Sequence, residues 1–254
     1  MMINWVVPEQ VSGLALWPLA VLIVVLVALN IINNRVAPQT HYLLWAFAFA
    51  VVFLAIGLLD GCSWTDMGLG KGYFIPGLAW AAICIAAIAL VYFVGSLIKH
   101  TRAAFHDERM ADLSARGVLF QSLIEVPLGT VLLEEIAFRS VLFAMLARRF
   151  GLTWAIIISC LMFGLWHVLP SIGTHEQNPA LGSMVGEGRR GNILAVVLSV
   201  ITTGLSTLVF IALRLVSGSI LAPMGFHWAT NGLGYAFSWI LIRIRDRGAN
   251  SVPK

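Results

Sequence analysis

The sequence predicts an all-α, polytopic membrane protein of about seven transmembrane helices, within a range of six to eight. Three observations predict it. Apolar residues make up 59% of the 254 positions and charged residues only 11%, whereas a soluble domain carries about a quarter charged. The mean hydropathy is +0.90, and too little polar sequence remains to coat a soluble core of this size. The apolar residues also fall in runs of about 17 to 25, the length a helix needs to cross a hydrocarbon layer. Lipid supplies no partner for backbone N–H and C=O groups, so such runs must be helices.

Taken in order, the spans cover roughly 14–33, 42–60, 75–98, 118–149, 152–169, 191–215 and 218–242. Met1-Met2-Ile3-Asn4-Trp5 has no basic residue before the first run. That run is long enough to span, so it reads as an uncleaved anchor and not as a signal peptide. The most polar stretch is 99–116, from Lys99-His100-Thr101-Arg102 to Arg116, expected to be a linker and in part an amphipathic interfacial helix. It separates a three-span N-terminal region, 1–116, from a four-helix core, 117–245, with a short tail at 246–254. The fourth run is long and contains Pro127 and Gly129. Proline removes a helical N–H and clashes with the preceding turn, so an elbow over about 117–126 is expected, with the span starting near 127. No internal repeat is evident.

The formal net charge of +4 does not call for nucleic acid in such a chain, because basic residues mark cytoplasmic loops. Arg35, Lys99, Arg102, Arg109, Arg116, Arg189, Arg190, Arg243, Arg245, Arg247 and Lys254 fall in segments on one side. Lys71, Arg148, Arg149 and Arg214 fall on the other. The bias predicts an external N-terminus and a cytoplasmic C-terminus, in what is expected to be a bacterial plasma membrane. Cys62, Cys84 and Cys160 are scattered and odd in number, which implies neither a disulfide framework nor a thiolate metal site; they read as small apolar residues.

Ionisable residues inside a span are costly and mark function by default. They gather in the C-terminal half. Leu132-Leu133-Glu134-Glu135-Ile136-Ala137-Phe138-Arg139 places two adjacent carboxylates in an apolar helix. Glu135 and Arg139 stand at i and i+4 in the favourable order for an ion pair. Glu134, rotated by about 100°, has no such partner, which suggests one structural carboxylate and one free to accept a proton. Phe163-Gly164-Leu165-Trp166-His167 ends the fifth span, and Gly225-Phe226-His227-Trp228-Ala229-Thr230-Asn231 puts His227 and Asn231 on one face of the last. A carboxylate, two imidazoles and a carboxamide supply a general base, proton carriers or metal ligands, and an oxyanion donor. That is the inventory for amide hydrolysis by activated water. A GxSxG elbow and an HExxH helix are both missing. The nine tryptophans read as interface anchors and packing residues.

The order Glu-Glu-x-x-x-Arg, Phe-x-x-x-His, His-x-x-x-Asn resembles the type II CAAX prenyl protease and bacteriocin-processing family (CPBP, also called Abi). Ser217-Gly218-Ser219-Ile220-Leu221-Ala222-Pro223 also looks like it. The resemblance covers roughly 118–242 and implies an all-helical intramembrane endopeptidase. By that resemblance Glu134 activates water with help from His167, and His227 and Asn231 stabilise the oxyanion. Glu135, Arg139 and Phe163 support the site. Family members are commonly called metalloproteases, and Glu134, His167 and His227 are the candidate zinc ligands; a metal-free, glutamate-based hydrolase uses the same residues. The expected substrate is a lipidated or hydrophobic peptide met in the bilayer. The rival readings are a non-catalytic immunity or scaffold protein and a proton-relaying transporter. The loop over 170–190, with His175, Glu176, Glu187, Arg189 and Arg190, reads as a solvated loop or as a gate over the site.

Overall fold

Each long apolar run closes its backbone hydrogen bonds within itself and forms a helix. The computed structural model describes residues 5–36, 39–98 and 112–250. Its helices are α1 (Trp17–Ile31), α2 (Tyr42–Leu59) and α3 (Phe74–Leu97), then a run from Ala115 to Trp166. Gly151 breaks that run with φ 77° and ψ 174°, a left-handed conformation that glycine adopts without a Cβ clash. The run is thus two helices, α4 (115–150) and α5 (152–166). Two short helices follow, α6 (Thr174–Gln177) and α7 (Pro179–Val185), then α8 (Gly188–Ser217). The last run is α9 (Leu221–Trp228), a π turn (Ala229–Leu233) and α10 (Gly234–Asn250). The described residues contain no strand.

Among the described residues five runs are long and apolar enough to cross a membrane: Trp17–Val36, Tyr42–Leu59, Lys71–Leu97, Ala115–Trp166 and Gly188–Ser217. The fourth holds both α4 and α5, which meet where the sequence placed a span boundary. The run from Leu221 is also long, but its far end carries Arg243, Arg245, Asp246 and Arg247. The architecture is that of a polytopic, all-helical membrane protein. The interfacial linker expected within 99–116 lies, over 99–111, outside the described residues, as does 251–254 of the tail.

Contrary to expectation, the helix is not broken before Pro127, and α4 continues through it. Residues Gln121–Val131 wind as a π-helix around Pro127, whose wider i→i+5 turns relieve the ring's clash with the preceding turn. The missing N–H of Pro127 frees the carbonyl five residues back. That carbonyl, on Ser122, accepts Trp228 Nε1–H at 2.7 Å, so the defect in one helix becomes a bond to another. A second π segment, Glu135–Leu142, follows directly after Glu134.

One end of the bundle is tied by buried arginines. Arg149 makes a two-pronged ion pair with Asp60, at 2.7 and 2.5 Å, and donates to Ala15 O and Met145 O. Arg148 donates to Asp60 O and Cys62 Sγ. Burial pushes the Cys62 thiol up from its ordinary range, which keeps it protonated and inert. Arg214, fully buried, donates to the carbonyls of Val6, Thr65 and Asp66. The chain before α1, the loop after α2, the α4–α5 turn and the end of α8 thus share one end. The arginines there are consumed by protein partners. Breaking such a pair leaves a buried charge uncompensated, at about 3–5 kcal/mol. Asp60→Ala is therefore expected to lower the thermal midpoint of the purified protein in lipid sharply, while Glu187→Ala, at an exposed position, leaves it nearly unchanged; equal midpoints for wild type and Asp60→Ala would refute the role.

The start of α9 is docked on that same buried loop, through Ile220 N–H to Gly68 O at 3.0 Å. Gly225 then lets α9 lie against α3: a Cβ there would stand 2.5 Å from Ala81 Cβ. These two contacts hold His227 deep in the bundle.

Candidate active site

Glu134 and Glu135 sit where α4 meets its second π segment. A π turn carries more residues than an α turn, so neighbouring side chains diverge by less than the about 100° of an α-helix. Both carboxylates consequently reach His227 on α9. Glu135 Oε1 lies 2.8 Å from His227 Nδ1, and Glu134 Oε2 lies 3.9 Å from His227 Nε2.

Glu135 is completely buried and also pairs with Arg139 Nη1 at 3.4 Å. The Arg139 guanidinium is likewise completely buried. It packs in the corner formed by two inclined rings, 3.8 Å from the centroid of Phe163 and 4.2 Å from that of Phe210, and its Nη2 points to Thr207 Oγ1 at 3.5 Å. A desolvated cation on an aromatic face gains about 2 kcal/mol or more. This gives Phe163 a physical role as one of the two rings packed against the cation that neutralises Glu135. Phe210 and Thr207, on α8, were not foreseen, because nothing in their local sequence separates them from other residues of an apolar helix.

Glu134 is held differently. Its Oε1 accepts the indole N–H of Trp166 at 3.0 Å, and its Oε2 is buried with no hydrogen bond. Trp166 thus departs from the packing role expected of the tryptophans, and so do Trp228, on Ser122 O, and Trp239, on Leu113 O. A tryptophan one residue before the histidine was the only local signal for Trp166.

The tautomers follow from the partners. His167 Nδ1 is 2.8 Å from Phe163 O; a carbonyl can only accept, so Nδ1 carries the proton and a neutral ring presents a lone pair at Nε2. His227 Nδ1 faces the carboxylate that is paired with Arg139, and by the same reasoning it donates. His167 packs its ring edge-on to Phe163, centroids 4.6 Å apart, with no hydrogen bond to Glu134 or His227. Asn231, in the π turn after α9, is exposed and makes no hydrogen bond with the cluster. The structure therefore gathers Glu134, Glu135, Arg139, Phe163 and His227, packs His167 against Phe163, and leaves Asn231 exposed.

Zinc would need three such groups converging on one point. Among the described residues no group of three His, Cys, Asp or Glu side chains converges so. As arranged, Glu134, His167 and His227 do not form such a group.

Beside Trp166 a groove of about 310 Å³ runs between α1 and α5, lined by Leu26, Val27, Phe138, Met162 and Leu165 among others. The segment after α5 is folded into α6 and α7; His175 is buried, while Glu176, Glu187, Arg189 and Arg190 are exposed.

Compared with known proteins, residues 114–233 match the family model described as Type II CAAX prenyl endopeptidase Rce1-like. That stretch runs from the N-cap of α4 to the end of the π turn after α9 and contains every residue of the cluster. No curated protein and no solved structure matches the chain.

Proposed function

With its residues 114–233 belonging to the type II CAAX prenyl endopeptidase Rce1-like family, this chain is, we propose, an intramembrane endopeptidase in which Glu134 activates water against a peptide bond of a lipidated or hydrophobic substrate. The observation that carries the reading is the placing of His227 between two carboxylates of unlike standing. One, Glu135, is neutralised by Arg139. The other, Glu134, keeps an oxygen uncommitted.

Glu134 Oε2 takes a proton from water, and the hydroxide adds to the substrate carbonyl carbon. His167 Nε2, a lone-pair acceptor, orients the water. His227 carries a second proton on Nε2 and donates to the developing oxyanion; Glu135, on Nδ1, stabilises that charge. Asn231 adds a further donor once substrate occupies the edge of the site. The carbonyl then re-forms, the C–N bond breaks, and the amine leaves with the proton held by Glu134. The apolar groove beside Trp166 suits a hydrocarbon chain arriving from lipid.

The test is cleavage of a panel of lipid-modified and transmembrane peptides by the purified protein in lipid, with Glu134→Ala, His167→Ala and His227→Ala alongside and with chelator in one arm. Cleavage by wild type, lost in all three folded variants and indifferent to chelator, is expected. Cleavage that survives the substitutions would overturn the site. Chelator sensitivity would overturn the side-chain mechanism, and no cleavage of any peptide would favour a scaffold.

A further inference from the structure

Asn30 lies on α1, outside the segment 114–233, and is the one polar aliphatic side chain in Trp17–Ile31. An amide in an apolar span is costly unless it is bonded. Asn30 is 8% exposed, and its Nδ2 donates to Trp166 O at 2.9 Å. Trp166 ends α5, so its carbonyl is one of the four that a helix cannot satisfy from within. The peptide unit between Trp166 and His167 is thereby held at both ends, since His167 N–H donates to Gly164 O at 3.1 Å. The side chains on either side of that unit are the indole bonded to Glu134 and the second imidazole. Asn30 is itself steadied, because its carbonyl accepts Asn34 Nδ2 at 2.8 Å where α1 widens into a π turn.

We infer that Asn30 is a positioning residue for Glu134, acting through the Trp166 backbone, so that the first span is part of the hydrolytic apparatus. The inference rests on the endopeptidase reading for its consequence in catalysis, but the linkage itself is a matter of structure. Asn30 fixes the plane of one peptide unit; that plane sets the direction of the Trp166 ring; the ring's N–H sets the rotamer of Glu134. The second oxygen of Glu134 then stays turned toward His227.

The test uses the full chain in lipid nanodiscs with ¹⁵N-indole-labelled tryptophan, the Trp166 resonance being identified by its loss in Trp166→Phe. An indole bonded to a carboxylate resonates at low field. The Trp166 signal is expected to move upfield in Glu134→Ala and to move the same way in Asn30→Leu, with the other indoles unshifted. Asn30→Gln, which keeps a donor, restores part of the shift. In cleavage assays Asn30→Leu and Trp166→Phe each lower kcat by about 10- to 100-fold, the scale outer-shell partners carry at metal sites, with KM little changed. The double variant is no worse than Trp166→Phe alone, as required of residues acting in series. A Trp166 resonance indifferent to Asn30→Leu, or losses that multiply in the double variant, would overturn the inference. If the wild type cleaves nothing, the endopeptidase reading falls, and the resonance still decides whether Asn30 governs the Trp166–Glu134 bond.

Discussion

Glu134→Gln is expected to lower turnover by about 10²- to 10⁴-fold, the share that a positioned general base contributes, while leaving the fold intact. Glutamine matches glutamate in shape, and its carbonyl oxygen can still accept the Trp166 N–H now bonded to Oε1. What it lacks is an atom able to take a proton where Oε2 stands, 3.9 Å from His227 Nε2. Because no other residue depends on Oε2 for a hydrogen bond, the thermal midpoint in lipid should match that of the wild type. Measuring the midpoint and the single-turnover rate on one preparation separates the two effects. A folded Glu134→Gln protein that cleaves at the wild-type rate would mean that the base lies elsewhere. Glu135→Gln is the informative contrast, because that carboxylate is shared by Arg139 and His227 and its loss disturbs both.

Arg139→Met is expected to fail at an earlier stage, as loss of the folded protein. Glu135 would keep a full charge in a site with no exposure, and stranding a buried charge costs about 3–5 kcal/mol, a large share of the roughly 5–15 kcal/mol that holds a typical domain together. The two rings that now face the guanidinium would close on a flexible thioether. Arg139→Lys keeps the charge but lacks the planar guanidinium that packs against Phe163 and Phe210, so partial recovery is expected. The double variant Arg139→Met with Glu135→Gln removes both charges together and should recover much of the yield and thermal midpoint. It should remain inactive, because His227 Nδ1 then faces no carboxylate. Wild-type stability in Arg139→Met alone would show that the pair is not what holds this region.

How much of this was legible beforehand varies by element. The spans were plain, and so was the break at Gly151, where two basic residues and a glycine interrupt the apolar run. Glu135 and Arg139 were legible as a pair because i,i+4 spacing within one helix is a local matter. Pro127 misled, since the rule that proline breaks a helix assumes α geometry, and here a π turn absorbs it. Arg148 and Arg149 entered only as basic residues counted on the outer side; their partners, Asp60 and Ala15 O, are far away in the chain. Asn30 was passed over because one amide in a leucine-rich run carries no local sign of what it bonds.

The sequence alone determined that this protein lives in a membrane as a set of helices, and that its motifs of buried ionisable residues lie in α4, α5 and α9. Both follow from terms that each residue carries with it: the transfer cost of its side chain and the reach of a neighbour one helical turn away. Only the tertiary structure decided that His227 stands between the two glutamates, that Arg139 packs against Phe163 and Phe210, and that α1 reaches Trp166. Hydrogen bonds and ring contacts are made or lost within a few tenths of an ångström. Periodicity assigns a residue to a face of its helix, but the rotation and depth of one helix against another are set by all the contacts between them at once.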